Sequence, residues 1–569
     1  MTLHPPFLKS VEGVSHPALR DQPADHPHPF DPTPARETAA TKLCSGSGLS
    51  ASDHWTPRTA LRRPTIPPLP GGEGRGEGGR DLFPQGLDSA FLGGKNKSYF
   101  LNNSDPLGKC GRFKPVTDRR SRARRESASV LIIVLWISIG MVSIALYFAN
   151  SMTYELRAAD NRVNGLSAEQ ALEGAARYVS YALANHATNG AVPDNTQFSC
   201  KAVAIGDAHF WLIGRDPSVT PSPTEPYFGL IDEGSKLNLN RVGTNTLSYL
   251  PNMTMDIAQA IVNWRNTNGS PDLSYAQYGY AEKQSPFETV DELRLVDGVT
   301  LDLLYGDDLN RNGVLDTSEK DVVGNGKVEF GLADYCTVYS REPNFHSDGS
   351  ILTNVNNATQ TDFQTLFQGA NINNASTLAT FIYNSINPPG GAKNSCTNLL
   401  DFYLRCNARG LSSAQFALIY NNITITATNI NYIAGRLNIN TAGVDVLTAL
   451  FMGSGLDENT AAGAAQNLVA YRRQNPNNVE SIAWMVDALG GNNQVVQTMR
   501  GTDKLTTHSF QFTADLAAVG TYGRGYRRAK FIFDISEGTP KILYRQDLSR
   551  LGWALGARAR ETWVAKETK

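Results

Sequence analysis

Residues 128–154 read ASVLIIVLWISIGMVSIALYFANSMTY, an apolar run without a charged side chain. About 20 apolar residues at roughly 1.5 Å rise cross a hydrocarbon core of roughly 30 Å, so this run is long enough to span a bilayer as a helix. It is too long for the apolar part of a secretory signal and lacks an A-x-A cleavage site; a buried core helix is the other reading. Just before it stand Arg119, Arg120, Arg122, Arg124 and Arg125, whereas the residues after it carry mixed charge. By the positive-inside rule the N-terminus is cytoplasmic, residues 130–150 span the inner membrane once, and everything after Asn150 is periplasmic.

Upstream, residues 1–115 are rich in Pro, Gly, His and Arg, with stretches such as PPLPGGEGRGEGGR that cannot assemble a core. Disorder is expected there. A second reading starts translation at a non-Met codon near Val116, since no methionine lies between Met1 and Met141, and leaves residues 116–128 as a basic leader. Bulk composition selects no class: 569 residues, 41% hydrophobic, 19% charged and a net charge of -2 describe an ordinary globular chain. The six cysteines form no C-x-x-C pair, which argues against a zinc ribbon or a thioredoxin-like site. In the periplasm Cys396 could pair with Cys406 and Cys200 with Cys336, or all could be buried thiols.

Downstream the helical pattern continues. Leu156, Ala159, Val163 and Leu166 form one apolar stripe, and Leu172, Ala175, Val179 and Ala182 form another, with a slip near Gln170 that allows a bend. The helix over residues 129–186 would run roughly 55 residues and about 80 Å. Short strands are expected over 187–235, and an antiparallel meander with a tail over 501–569, from HSFQFTADLAAV, AKFIFDIS and KILYRQDLS. The middle is mostly helical. Strands on both sides of it imply an α+β fold in which a helical domain interrupts a small antiparallel sheet.

That middle holds a duplication. KLNLNRVGTNTLSYL at 236–250 and RLNINTAGVDVLTAL at 436–450 share L-N-x-N and a later leucine pair, and each leads to a helix ending in aromatic-Arg, at Arg265 and Arg472. Residues 236–342 and 435–500 are thus two helical units around an Asn-rich insertion at 343–434. Asn240 and Asn440 are expected to cap the helices that follow. The units resemble helix-hairpin-helix or SAM-like folds, but their turns LPNMTM and LFMGSGLDEN are neutral or acidic, so nucleic acid is not an expected partner.

Asp308 to Glu319 reads DLNRNGVLDTSE and satisfies D-x-[DN]-x-[DN]-G-x5-E. A hard cation needs several oxygens on one short loop. Asp308, Asn310 and Asn312 supply side chains and Val314 a carbonyl. Asp316 acts directly or through water, and Glu319 closes the site, while Gly313 permits the turn. With three carboxylates, calcium affinity of about 10⁻⁴ to 10⁻³ M and a structural role are expected. An Asn/Asp-rich surface turn is the other reading.

Taken together, the span beginning SVLIIVLW, the motifs KLNLN and RLNINTA and the C-terminal strands resemble general secretion pathway protein K, the large minor pseudopilin of type II secretion. The resemblance covers about Arg124 to Arg560. It implies a pilin-like fold with a large insertion, a place at the pseudopilus tip beside other minor pseudopilins, calcium as a cofactor, and a role in exporting folded proteins. It also implies cleavage by a prepilin peptidase between Ala128 and Ser129, with Ser129 methylated. The usual glycine before the cut is absent, and Ile133 replaces the Glu usual at the fifth mature position. A carboxylate in lipid is costly without a cationic partner, and a subunit at the apex has no neighbour above to supply one.

An enzyme is not expected. G-x-S-x-G, H-E-x-x-H and P-loop motifs are absent, and His186, His209, His346 and His508 are scattered singly. The rival reading is a type IV pilus or DNA-uptake component, which salt-sensitive DNA binding would reveal. The Asn-rich insertion is either a partly helical contact surface for partners or secreted substrates, or a surface excursion.

Overall fold

The computed structural model describes residues 122–215, 225–556 and 559, with side chains from Val130 onward. The expectations for residues 1–115 and for the start of the basic leader lie outside the described residues, as do the side chains of Ala128 and Ser129. Arg122–His186 forms one uninterrupted helix of 65 residues, α1, longer than expected and without a break at Gln170. No proline interrupts it, and in lipid a helix satisfies every backbone group internally.

α1 has two halves. From Val130 to Val163 its side chains are exposed on all sides, Trp136 at 72% and Val163 at 65%. Leu156, Ala159 and Val163 belong to this bare half and Leu166, just beyond it, is also exposed, so this first stripe stays outside the apolar core. Ala168, Leu172, Ala175, Val179 and Ala182 are buried. Small alanines there let a sheet approach the helix closely.

That sheet has six strands: β1 (Val203–Ile205), β2 (Ala208–Ile213), β3 (Ile231–Asp232), β4 (Gln511–Val519), β5 (Tyr526–Asp534) and β6 (Lys541–Asp547). Their order is β1-β2-β4-β5-β6, with β3 also on β4, and every pairing is antiparallel. β4 is central and buried throughout. Because strand side chains alternate, Phe512, Ala514, Leu516 and Ala518 join the α1 core with Phe210, Leu212, Phe531 and Phe533. The polar Gln511, Thr513 and Asp515 take the opposite face, toward a body inserted between β3 and β4.

The inserted body is helical and contains three related units. Strand Leu237–Asn238 pairs in parallel with Cys336–Thr337, and Leu437–Asn438 with Leu505–Thr506. Within the Asn-rich stretch, Thr353–Asn354 pairs in parallel with Ile423–Thr424. Each pair encloses four α-helices, in the third unit Gln360–Gly369, Ala375–Ile386, Leu399–Asn407 and Ser413–Tyr420, and short 3₁₀ turns are added in the first and second units. Residues 353–426 are therefore a folded unit of the same plan. One apolar core runs through all three. First and second units meet at Gly453, where a Cβ would stand 2.1 Å from Thr246 Oγ1. Cys200, Cys336, Cys396 and Cys406 are all free and buried.

Candidate functional site

The N-x-N core of the L-N-x-N motif is a clasp that occurs three times, at 238–240, 354–356 and 438–440. Asn238, Asn354 and Asn438 each accept on Oδ1 from the backbone N–H two residues on, at 2.9 Å in every case. Asn240 holds both N–H and C=O of Phe287, at 2.7 and 2.9 Å, and Asn356 does the same to Cys396, at 2.7 and 3.0 Å. Asn440 donates to Val479 O and accepts from Trp484 Nε1, both at 2.8 Å. These side chains fasten the second half of each unit to the first. They do not cap helices: the N-caps are Gly243 and Gly443, without a side-chain bond. The shared spacing to the aromatic-Arg pairs has its own reason, since Arg265 donates to Leu239 O and Val242 O. Arg472 donates to the matching Ile439 O and Ala442 O, at 2.8 and 2.7 Å.

A buried polar seam joins this body to the sheet. Asp232 accepts from Gly234 N at 2.7 Å, Ser509 Oγ at 2.7 Å, Asn438 Nδ2 at 3.1 Å and the Thr441 hydroxyl. Burial outweighs those donors and pushes its carboxyl up to about 6. Next to it, Glu233 accepts from Thr513 Oγ1 at 2.6 Å and from the Thr337 hydroxyl, and pairs with Lys236 at 3.5 Å. Burial pushes Glu233 up, but Lys236, Lys530 and the two hydroxyls outweigh it and hold it below the ordinary carboxylate range. One residue thus grips the second unit and its neighbour the first.

The Asp308 loop sits in an excursion closed at its neck by Gly306 facing Phe330. Gly306 has φ +66°, and a Cβ there would stand 2.0 Å from Glu329 O. Asp308 is buried and accepts from Asn312 N at 2.8 Å and Gly313 N at 2.7 Å, and burial raises it to about 6 despite Arg215. Asn310 Nδ2 and Asn312 Nδ2 both donate to Asp316 Oδ2, at 2.5 and 2.9 Å. Glu319 accepts from Asn310 N and Asp316 N, and Val314 N donates to Asn312 Oδ1. The sequence-predicted ligands therefore gather on one loop. Asn310 Oδ1 is buried without a hydrogen-bond partner, and turning that amide over would aim its oxygen at the point that Asp316 already faces, whereas Asn312 is fixed by its bond from Val314 N. Against this, Arg215 Nη2 holds Asp308 Oδ2 at 2.9 Å, and among the described residues no three Asp, Glu, His or Cys side chains converge as a metal cluster.

Two features escaped the sequence. Arg528 is fully buried, paired with Asp515 at 2.6 Å, and donates to Asn310 O at 2.5 Å and Arg311 O at 2.6 Å, so the sheet itself holds the loop's backbone. Asp321 to Glu329 repeats the loop's geometry: Asp321 accepts from Asn325 N and Gly326 N, Asn325 Oδ1 from Lys327 N, and Asn325 Nδ2 donates to Glu329. Its signal, D-x-x-x-N-G-x-x-E, is broken at the third position by Val323.

No family model matches this chain, and no curated protein matches it. Among solved structures the chain is similar to one in the crystal structure of the GspK-GspI-GspJ complex from the type 2 secretion system of enterotoxigenic Escherichia coli. The similarity covers 70% of this chain and 99% of that one, at 11% identity and a TM-score of 0.31, too low to carry a function across.

Proposed function

We propose that this protein is a pilin-type subunit: a membrane-anchored stem that enters a fibre, carrying a bulky head outside the inner membrane, as a minor pseudopilin at the tip of a type II secretion pseudopilus. The observation that carries this reading is α1. From Val130 to Tyr154 it is apolar and exposed, and from Ala168 onward it packs its buried face against an antiparallel sheet. A helix that is apolar all round needs lipid or other helices as its surroundings. The inserted body favours the tip, because a head enlarged by three helical units crowds a subunit flanked above and below. Calcium in the Asp308 loop, held by Asp308, Asn310, Asn312, Val314, Asp316 and Glu319, would fix the seam between body and sheet through Arg528. The reading is tested by purifying the full chain from membranes together with small pilin-like subunits of the same cell. Stable co-purification through α1 is expected. Recovery of the chain alone, with α1 extractable without detergent, would overturn it.

A further inference from the structure

Where the end of α1, the sheet and the second and third units meet, the chain encloses a cavity of about 420 Å³. That volume lies in the range of about 300 to 1,000 Å³ that takes a small ligand. Its inner wall is built from buried Glu342, Leu400, Tyr420 and Ile482, and its outer part from exposed Asn189, Ser347 and Asn421. The pilin reading makes no use of it.

Polar groups single this cavity out. Folded chains leave few buried polar atoms unpaired, and each exception calls for an explanation. Three of those found among the described residues belong to its lining: Glu342 Oε1, Arg436 Nε and Ser536 Oγ. A larger cavity of about 730 Å³, beside Arg215 and Asp445, has none on its described walls. The three atoms are an acceptor, a donor and a hydroxyl that serves as either, so a partner must offer both donors and acceptors. Charge, by contrast, is already settled within the lining. Arg436 stands 2.6 Å from Asp503 and 3.6 Å from Glu342. Burial and the nearby Arg436 hold His508 down to about 4, so its imidazole is neutral at neutral pH. A charged ligand would leave its own charge unpaired in a buried site, which is costly. Part of the lining is aromatic: the rings of Tyr420 and His508 lie 4.9 Å apart, and Phe510 lies 6.4 Å from His508. Such rings pack well against the C–H face of a cyclic ligand.

We propose that this cavity binds an uncharged sugar carrying an N-acetyl group. The acetamido C=O and N–H answer Arg436 and Glu342, its methyl group takes the apolar floor at Leu400 and Ile482, and the sugar ring lies against the aromatic rings. Ring hydroxyls meet the amides of Asn189 and Asn421 at the mouth. The proposal stands independently of the pilin reading, since none of these residues belongs to the bare half of α1.

The test is isothermal titration of the full chain, in a detergent without sugar head groups, with di-N-acetylchitobiose. Two controls separate the parts of the ligand: cellobiose, which has hydroxyls in place of the acetamido groups, and N-acetylalanine amide, which has amides and no sugar. Chitobiose is expected to bind and to raise the unfolding temperature, and each control to bind at least about tenfold more weakly. Ser347→Trp, at an exposed position of the lining, should block entry and abolish binding. Ser536→Ala, which removes a hydroxyl that bonds nothing in the chain, should weaken binding several-fold. No binding of chitobiose, equal binding of either control, or binding unchanged in both variants would overturn the proposal. Because binding is read on the isolated chain, failure to co-purify with pilin-like subunits would sink the tip reading and leave these affinities as they are.

Discussion

Two arginines show how much a single residue decides, one in the repeated clasp and one beside the Asp308 loop. Arg472 is buried and satisfies Ile439 O and Ala442 O, which the tight L-N-x-N turn leaves without backbone donors. Arg472→Met keeps the apolar stem and strands both carbonyls, so it should cost about 2 to 4 kcal/mol in denaturant unfolding. The paired aromatic-Arg ends were visible in the sequence, but their purpose was not, because hydrogen bonds to carbonyls leave no residue-type signature at the acceptor. Arg215 acts in the opposite sense. It occupies Asp308 Oδ2 and so competes with any cation in the loop. Calcium titration of the full chain should raise its unfolding temperature at millimolar calcium, and Arg215→Gln should tighten binding several-fold by removing a positive charge beside the site. No heat and no thermal shift in either protein would reject the metal.

At the scale of elements, the units are built from the same bonds. Thr337, Thr424 and Thr506 each accept on Oγ1 from the N–H two residues on, at 3.1 Å. Two copies were legible because both begin with Leu or Ile-flanked L-N-x-N and end in aromatic-Arg. The third hid behind TNVNNAT, where a threonine replaces the leading leucine and no arginine follows the second helix, so its polar residues read as a loose insertion. The seam between second and third units carries a buried carboxylate. Glu342 lies 3.6 Å from Arg436, which also serves Asp503 at 2.6 Å, and its Oε1 has no hydrogen-bond partner. Burial pushes Glu342 up to about 7, with Arg436 offsetting only part of it. A folded-state value above the unfolded one means the native state binds the extra proton, so this group's contribution falls as pH rises from about 4.5 to about 7. Glu342→Gln removes that dependence. The variant should gain on the parent by up to about 3 kcal/mol between pH 5 and pH 8, read from unfolding midpoints at each pH. A constant difference across that range would show that Glu342 stays ionised in the fold.

For the whole molecule, the division of α1 into a bare half and a buried half organises everything else. The span and the C-terminal meander were plain in the sequence because uncharged runs and period-two alternation are local signals. What was not legible is where the buried half begins. The stripe of Leu156, Ala159, Val163 and Leu166 has the same spacing as that of Leu172, Ala175, Val179 and Ala182, and only the position of β4 decides which of them the sheet covers. Likewise the Asp308 loop could be read from its spacing, while its tether through Arg528 and Asp515 joins residues far apart in the chain. If α1 is a pilin stem, a prepilin peptidase must cut it at its basic foot. The most direct measurement is therefore the intact mass and N-terminal fragmentation of the chain isolated from membranes. A mature chain that begins at Ser129, or within a residue or two of it, with a methylated amine is the expected result. A chain that keeps the basic residues before Ala128, or one that has lost the apolar half of α1, would contradict the account.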